Sequence, residues 1–170
     1  MDGGHHSEGV SGLRLTTAEM YTLCLVRAWT MARCDACAES VLRVGLAQGA
    51  LDDASVAEFE SLLLILSAAH RPLRIADLDA AFVTDDEIAL ISLLALAQQS
   101  DLDATLATLR RWLPPAGVRV AIRTTVRFAR GLLRQRLVLR TADAILHDVP
   151  LDVRATPGRD YRPAFGVLMH

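Results

Sequence analysis

Arg119, Arg123, Arg127, Arg130 and Arg134 follow one another at intervals of four, four, three and four. On an α-helix that spacing sets all five guanidinium groups on one narrow stripe. The chemistry such a stripe offers is anion binding. A guanidinium is planar, permanently charged and shaped for two parallel hydrogen bonds to a carboxylate or phosphate. All 18 basic residues of the chain are arginine. No lysine is therefore at hand to form a Schiff base or to act as a general base.

The stripe belongs to a wider division of charge. Residues 45–103 hold eleven acids and two arginines, Arg71 and Arg74, whereas residues 104–142 hold nine arginines and no acid. Three readings compete. In the first, the two halves face each other, or the stripe is a solvated helix face; acids near Asp77, Asp79, Asp85 and Asp86 would pair with the arginines within a protomer or across a dimer. Exposed pairs of this kind contribute only about 0–1 kcal/mol each and fix register more than they stabilise. In the second, the stripe binds an acidic segment of a protein partner. In the third, it binds nucleic-acid phosphates, as in a transcription-related protein. Against the third, the only aromatic residue of that helix is Phe128. It falls on the apolar face, so no stacking platform is offered.

Cysteine supplies the other candidate chemistry. Cys34-Asp35-Ala36-Cys37 is a C-x-x-C, with Cys24 upstream as the third and last thiol. A metal ribbon needs a second pair, which is absent. A redox C-x-x-C sits at a helix N-terminus after a strand, whereas this one reads as mid-helix. The thiols are expected to be small buried side chains, with a thiol or metal function as the alternative and His70 or His147 as an added ligand. The His147-Asp148 pair would need a nucleophile nearby to act as a base. No G-x-S-x-G, P-loop, G-x-G-x-x-G or Glu-x-x-His is present. Neither a cofactor nor a metal ion is expected.

The elements that position these residues read as helices. Thr16 to Glu19 is a capping box and opens a long helix over about 16–48, apolar nearly all round in its first half and expected at the centre of the fold. A second helix starts at Asp52 or Asp53 and runs to about His70, closed by Pro72. A short third helix is expected over 75–82. Thr84-Asp85-Asp86-Glu87 is another capping box, opening a very apolar helix to about Gln99. The last two together resemble a helix-turn-helix in outline, but the second helix would present three acids to a phosphate backbone. Ser100 or Asp101 caps a fifth helix, stopped by Pro114-Pro115. The sixth runs over about 116–134. Its apolar face is Ala121, Ile122, Val126, Phe128, Ala129, Leu132 and Leu133, opposite the arginines. Continued further, it would bury Arg136 and Arg140, so it ends or bends near Arg134, or those arginines meet buried acids. Residues 137–140 could form a short hairpin with residues 150–154.

The expected architecture is all-α: a compact bundle of about six helices over 15–147, after a disordered segment over 1–14 and before an extended tail over 148–170. The chain has 170 residues, a net charge of −2 and 52% hydrophobic residues, with a mean hydropathy of +0.28. Its apolar runs are far shorter than the roughly 18 residues of a membrane span. Excess apolar surface without a span points to self-association, most simply a homodimer. No leader segment is read at the start, which points to the cytoplasm. The functional expectation is a small, non-enzymatic adaptor or regulatory protein that binds an acidic protein partner through Arg119, Arg123, Arg127, Arg130 and Arg134.

Overall fold

Helix α4, Asp85–Gln98, is buried from Asp86 to Ala95 and again at Ala97, and the rest of the fold is built around it. The computed structural model describes residues 9–32, 35–49 and 51–148. Helices α1 (Thr17–Ala32), α5 (Leu102–Leu109), α6 (Pro115–Arg134) and α7 (Ala142–His147) pack on α4, while α2 (Ala36–Gln48) packs on α1 and α3 (Asp53–Ser67) on α6. Two three-residue strands, β1 (Gly9–Ser11) and β2 (Phe82–Thr84), pair antiparallel with Val10 opposite Val83. The all-α expectation is met. No helix among the described residues is long and apolar enough to cross a membrane.

The capping boxes form as their residues dictate. The Thr84 hydroxyl accepts from Glu87 N at 3.1 Å, and the Glu87 carboxylate accepts from Thr84 N at 2.8 Å. Thr16 and Glu19 make the same reciprocal pair at the start of α1. Both boxes satisfy amide groups that a helix N-terminus leaves orphaned.

Glu87 does more than cap. It also accepts from Arg27 Nε at 2.7 Å, Arg27 Nη2 at 3.0 Å and Ala76 N at 3.1 Å. Arg27 in turn donates to the carbonyls of Ala80 and Phe82 at 3.0 and 2.7 Å. The Arg27 and Glu87 side chains are only 5% and 0% exposed. Asp86, also buried, binds the Arg71 guanidinium and accepts from Arg74 N at 2.9 Å. One polar node thus ties α1, the 68–81 connection and β2 to the first turn of α4.

That node explains where the structure departs from the sequence reading. Residues 75–82 are not a helix. Their backbone groups bond to the Arg27–Glu87 pair, and Phe82 enters β2; the helix-turn-helix outline disappears with them. The single helix expected over 16–48 is two, and the central position belongs to α4. Asp35 has extended dihedrals, φ −139° and ψ 118°, and its carboxylate accepts from Cys37 N at 2.8 Å, capping α2. Its short acid competes for backbone amides and favours a helix start over a helix interior. α2 then packs back on α1, with Tyr21 Oη donating to the Gly45 carbonyl at 3.1 Å. Gly9–Ser11, inside the segment expected to be disordered, is strand β1.

Beyond α6 the chain turns through Arg136, whose φ is +60°. Arg136 N donates to Leu133 O and Leu137 N to Leu132 O, the paired bonds of a left-handed helix stop. Residues 137–140 lie outside any helix. The Gln98 side chain bonds Leu137 O at 2.8 Å and Leu139 N at 3.0 Å. Residues 150–154, the expected hairpin partner, lie outside the described residues, as does the tail after Asp148. Arg140 meets the buried acid Glu19, through Nε and Nη2 at 2.8 Å each. Burial pushes the Glu19 carboxyl up. Hydrogen bonds from the Arg140 side chain and from Thr16 and Arg140 N, with the Arg140 charge, outweigh it and hold the pKa below the ordinary carboxylate value.

Candidate functional site: the arginine face of α6

The proline at the first helical position of α6 supplies the helical φ and lacks the amide hydrogen that would be orphaned there. From that start the helix buries Val118, Ala121, Thr125, Phe128, Ala129 and Leu132. The Phe128 ring lies 5.2 Å from that of Phe59 on α3, and the buried Thr125 hydroxyl donates to the Ala121 carbonyl at 2.8 Å. Of the expected apolar face, Ala121, Phe128, Ala129 and Leu132 are buried, Ile122 and Val126 are half-buried, and Leu133 is exposed. α3 and α6 approach closely at Gly131. A Cβ there would overlap Ser55 Oγ and stand 2.9 Å from Ser55 Cβ.

With that face fixed, the five arginines have one direction left. Arg119, Arg123, Arg127, Arg130 and Arg134 are all exposed. They fall within an arc of roughly 80° and extend along roughly 22 Å of helix. The stripe reaches over the rim of α3. Arg127 Nη1 pairs with Glu58 Oε1 at 2.9 Å, and Arg134 Nη2 with Asp52 Oδ2 at 3.1 Å and Ser55 Oγ at 3.2 Å. Between the two helices is a shallow groove of about 290 Å³ lined by Ser55, Glu58, Arg127, Arg130 and Arg134. Hydrogen bonds from the Ser55 side chain and backbone, together with the Arg134 charge, hold the Asp52 carboxyl below its ordinary pKa. Arg119, Arg123 and Arg130 have no carboxylate partner among the described residues.

The acids that do pair with the stripe are not those expected from the sequence. Asp86 is taken by Arg71 and Arg74, and the partners of α6 are Asp52, the N-cap of α3, and Glu58 on α3. Both α6 pairs are at least half open to water on the arginine side, so they are easily exchanged for an incoming carboxylate. Two exposed apolar side chains flank the charge: Val120, 60% exposed, and Leu133, 42% exposed.

The thiols are placed differently from expectation. Cys24 and Cys37 are exposed rather than buried, and Cys37 stands in the first turn of α2, not mid-helix. Cys34 lies outside the described residues. No cluster of three or more His, Cys, Asp or Glu side chains able to hold a metal occurs among the described residues. The carboxylate of Asp148, the candidate partner of His147, is bound to the Arg140 guanidinium instead.

A second feature escaped the sequence reading, an open apolar groove between α1 and α2 lined by Met20, Cys24, Val41 and Val44. Its one signal in the sequence is the apolar circumference of Met20–Met31, which points as readily to a central helix. No protein-family model, curated protein or solved structure matches this chain.

Proposed function

We propose that this protein is a cytoplasmic, non-enzymatic adaptor that binds an acidic segment of a protein partner along the α6 stripe. What supports this reading is one observation: five exposed guanidinium groups on a single rigid face, three of them without a carboxylate among the described residues. Arg127 and Arg134 contribute by exchanging Glu58 and Asp52 for carboxylates of the partner. Val120 and Leu133 give the partner's apolar side chains something to rest on, which favours a peptide over a phosphate backbone. Pairing with a second copy belongs to the same reading, as cover for exposed apolar side chains elsewhere.

The test is a triple substitution, Arg119→Gln, Arg123→Gln and Arg130→Gln, which touches no internal ion pair. The helical circular dichroism and melting point should be unchanged. Affinity for a Glu-rich amphipathic peptide, measured by fluorescence anisotropy, should fall at least about 30-fold, roughly 2 kcal/mol over three desolvated contacts. Equal affinity of variant and parent for the peptide refutes the reading. Tight binding of duplex DNA or RNA with a steep salt slope replaces it with the nucleic-acid reading.

A further inference from the structure

Three of the five α6 arginines, Arg127, Arg130 and Arg134, line one groove against α3, a space of about 290 Å³. Arg127 commits only Nη1, to Glu58, and Arg134 only Nη2, to Asp52 and Ser55. Arg130 has no partner among the described residues. Each guanidinium carries five N–H donors, so most of the donors around this space are uncommitted. Three positive charges stand there against the two carboxylates of Asp52 and Glu58. Arg123 and Arg119 follow about one and two turns further along α6 and line no part of this groove.

A carboxylate is planar, with two oxygens and one charge, and a single guanidinium fork satisfies it. A phosphomonoester near neutral pH has three terminal oxygens in a tetrahedral array and a charge of about −1.5 to −2. Three guanidinium groups on one space match three oxygens rather than two. The room agrees: a water takes roughly 30 Å³, so the groove admits several heavy atoms beyond the three of a carboxylate. We propose that the groove of Arg127, Arg130 and Arg134 seats a phosphorylated side chain of the partner segment, one phosphoryl oxygen to each guanidinium, while Arg119 and Arg123 take carboxylates of the same segment. This rests on the reading of α6 as the docking face for an acidic segment, and it gives the two parts of the stripe different tasks. Arg127 and Arg134 serve the phosphoryl group through their uncommitted N–H groups, so Glu58 and Asp52 need not leave. Leu133, 42% exposed beside Arg134, offers an apolar rest that a peptide uses and a bare phosphate ion does not.

The probe is a Glu-rich amphipathic peptide made in two forms, with phosphoserine or with glutamate at one central position, and its affinity for the full chain is read by fluorescence anisotropy. The phosphoserine form should bind about tenfold tighter or more. Arg130→Gln should cut that ratio to about twofold or less. Arg119→Gln with Arg123→Gln should weaken both forms alike and leave the ratio in place. Neither variant touches an internal ion pair, so both should keep the helical circular dichroism of the parent. Equal affinity of the two forms for the parent overturns this proposal and leaves the acidic-segment reading standing; no binding of either form overturns both. A ratio that survives Arg130→Gln also overturns it, because the phosphoryl group then sits elsewhere. Two competitors separate other sources of the same dianion. Inorganic phosphate and phosphatidylcholine vesicles carrying phosphatidic acid should displace the phosphoserine peptide only far above the peptide's own Kd. Displacement by either at or below that concentration overturns the proposal, because the ligand is then a free ion or a membrane surface.

Discussion

Glu87→Gln should be the most damaging conservative change in the molecule. The Glu87 carboxylate accepts four bonds: two from Arg27, one from Ala76 N and one from Thr84 N. Glutamine keeps one acceptor oxygen and turns the other into an amino group facing donors. At least one buried donor then meets a donor, and Arg27, 4% exposed, keeps a charge with no counter-charge. Removing one partner of a buried ion pair costs about 3–5 kcal/mol, against about 5–15 kcal/mol of total stability for an ordinary domain. By contrast, removing Arg127 from its half-exposed pair with Glu58 should cost at most about 1 kcal/mol. With a urea slope of about 2 kcal/mol/M, the Glu87→Gln midpoint should fall by about 2 M. Arg27→Met alone should cost a similar amount. The double variant should lose clearly less than the sum, because the unpaired charge is gone and only the backbone groups of 76–84 are left short of partners. A midpoint shift under about 0.5 M, or strictly additive losses, would refute the reasoning that this pair anchors the 68–84 segment.

Glu19→Gln should cost about 2 kcal/mol or more at neutral pH by removing the buried counter-charge of Arg140, which keeps only the half-exposed carboxylate of Asp148. Because the folded carboxyl titrates below its ordinary value near 4.5, the stability it contributes is fully present above that value and is lost as pH falls below it; urea melts should show the variant losing stability less steeply than the parent between about pH 5 and 3. Gly131→Ala places a methyl on Ser55 and should destabilise by about 1–3 kcal/mol, and Gly131→Ala combined with Ser55→Gly should recover most of the loss in thermal melts. Arg136→Gly relieves a left-handed conformation at an exposed arginine and should raise stability by about 1 kcal/mol, checked by an upward shift of the urea midpoint; a drop would mean that the guanidinium makes a contact of its own.

The parts of the fold legible in the sequence are those set by neighbours within four residues. The capping boxes at Thr16 and Thr84, the acid at Asp101 and the three-and-four spacing on α6 are local rules, and each holds in the structure. Residues 75–82 have helical spacing of apolar side chains, yet their amides and carbonyls are claimed by Arg27 and Glu87, as far as 55 residues away. No local pattern announces such a claim. Arg140 shows both sides. Its period on α6 marks it for a buried acid, but Glu19 stands 121 positions upstream. The break before α2 rests on Asp35 alone, amid Ala and Cys residues that would equally well continue a helix. The exposed arginine stripe is legible as geometry; its partners Asp52 and Glu58 depend on how α3 packs, which composition does not encode.

The clasp of Arg140 on Glu19 also carries a consequence for biosynthesis. The cap of the first helix is completed by a side chain that leaves the ribosome only after nearly the whole helical body has been translated. Until then a carboxylate destined for the interior has no cation and stays solvated, so the early helices can pair but cannot finish docking. The last stitch of this fold is therefore among its longest in sequence, and a nascent chain arrested before residue 140 should remain loosely closed and open to proteases at its beginning.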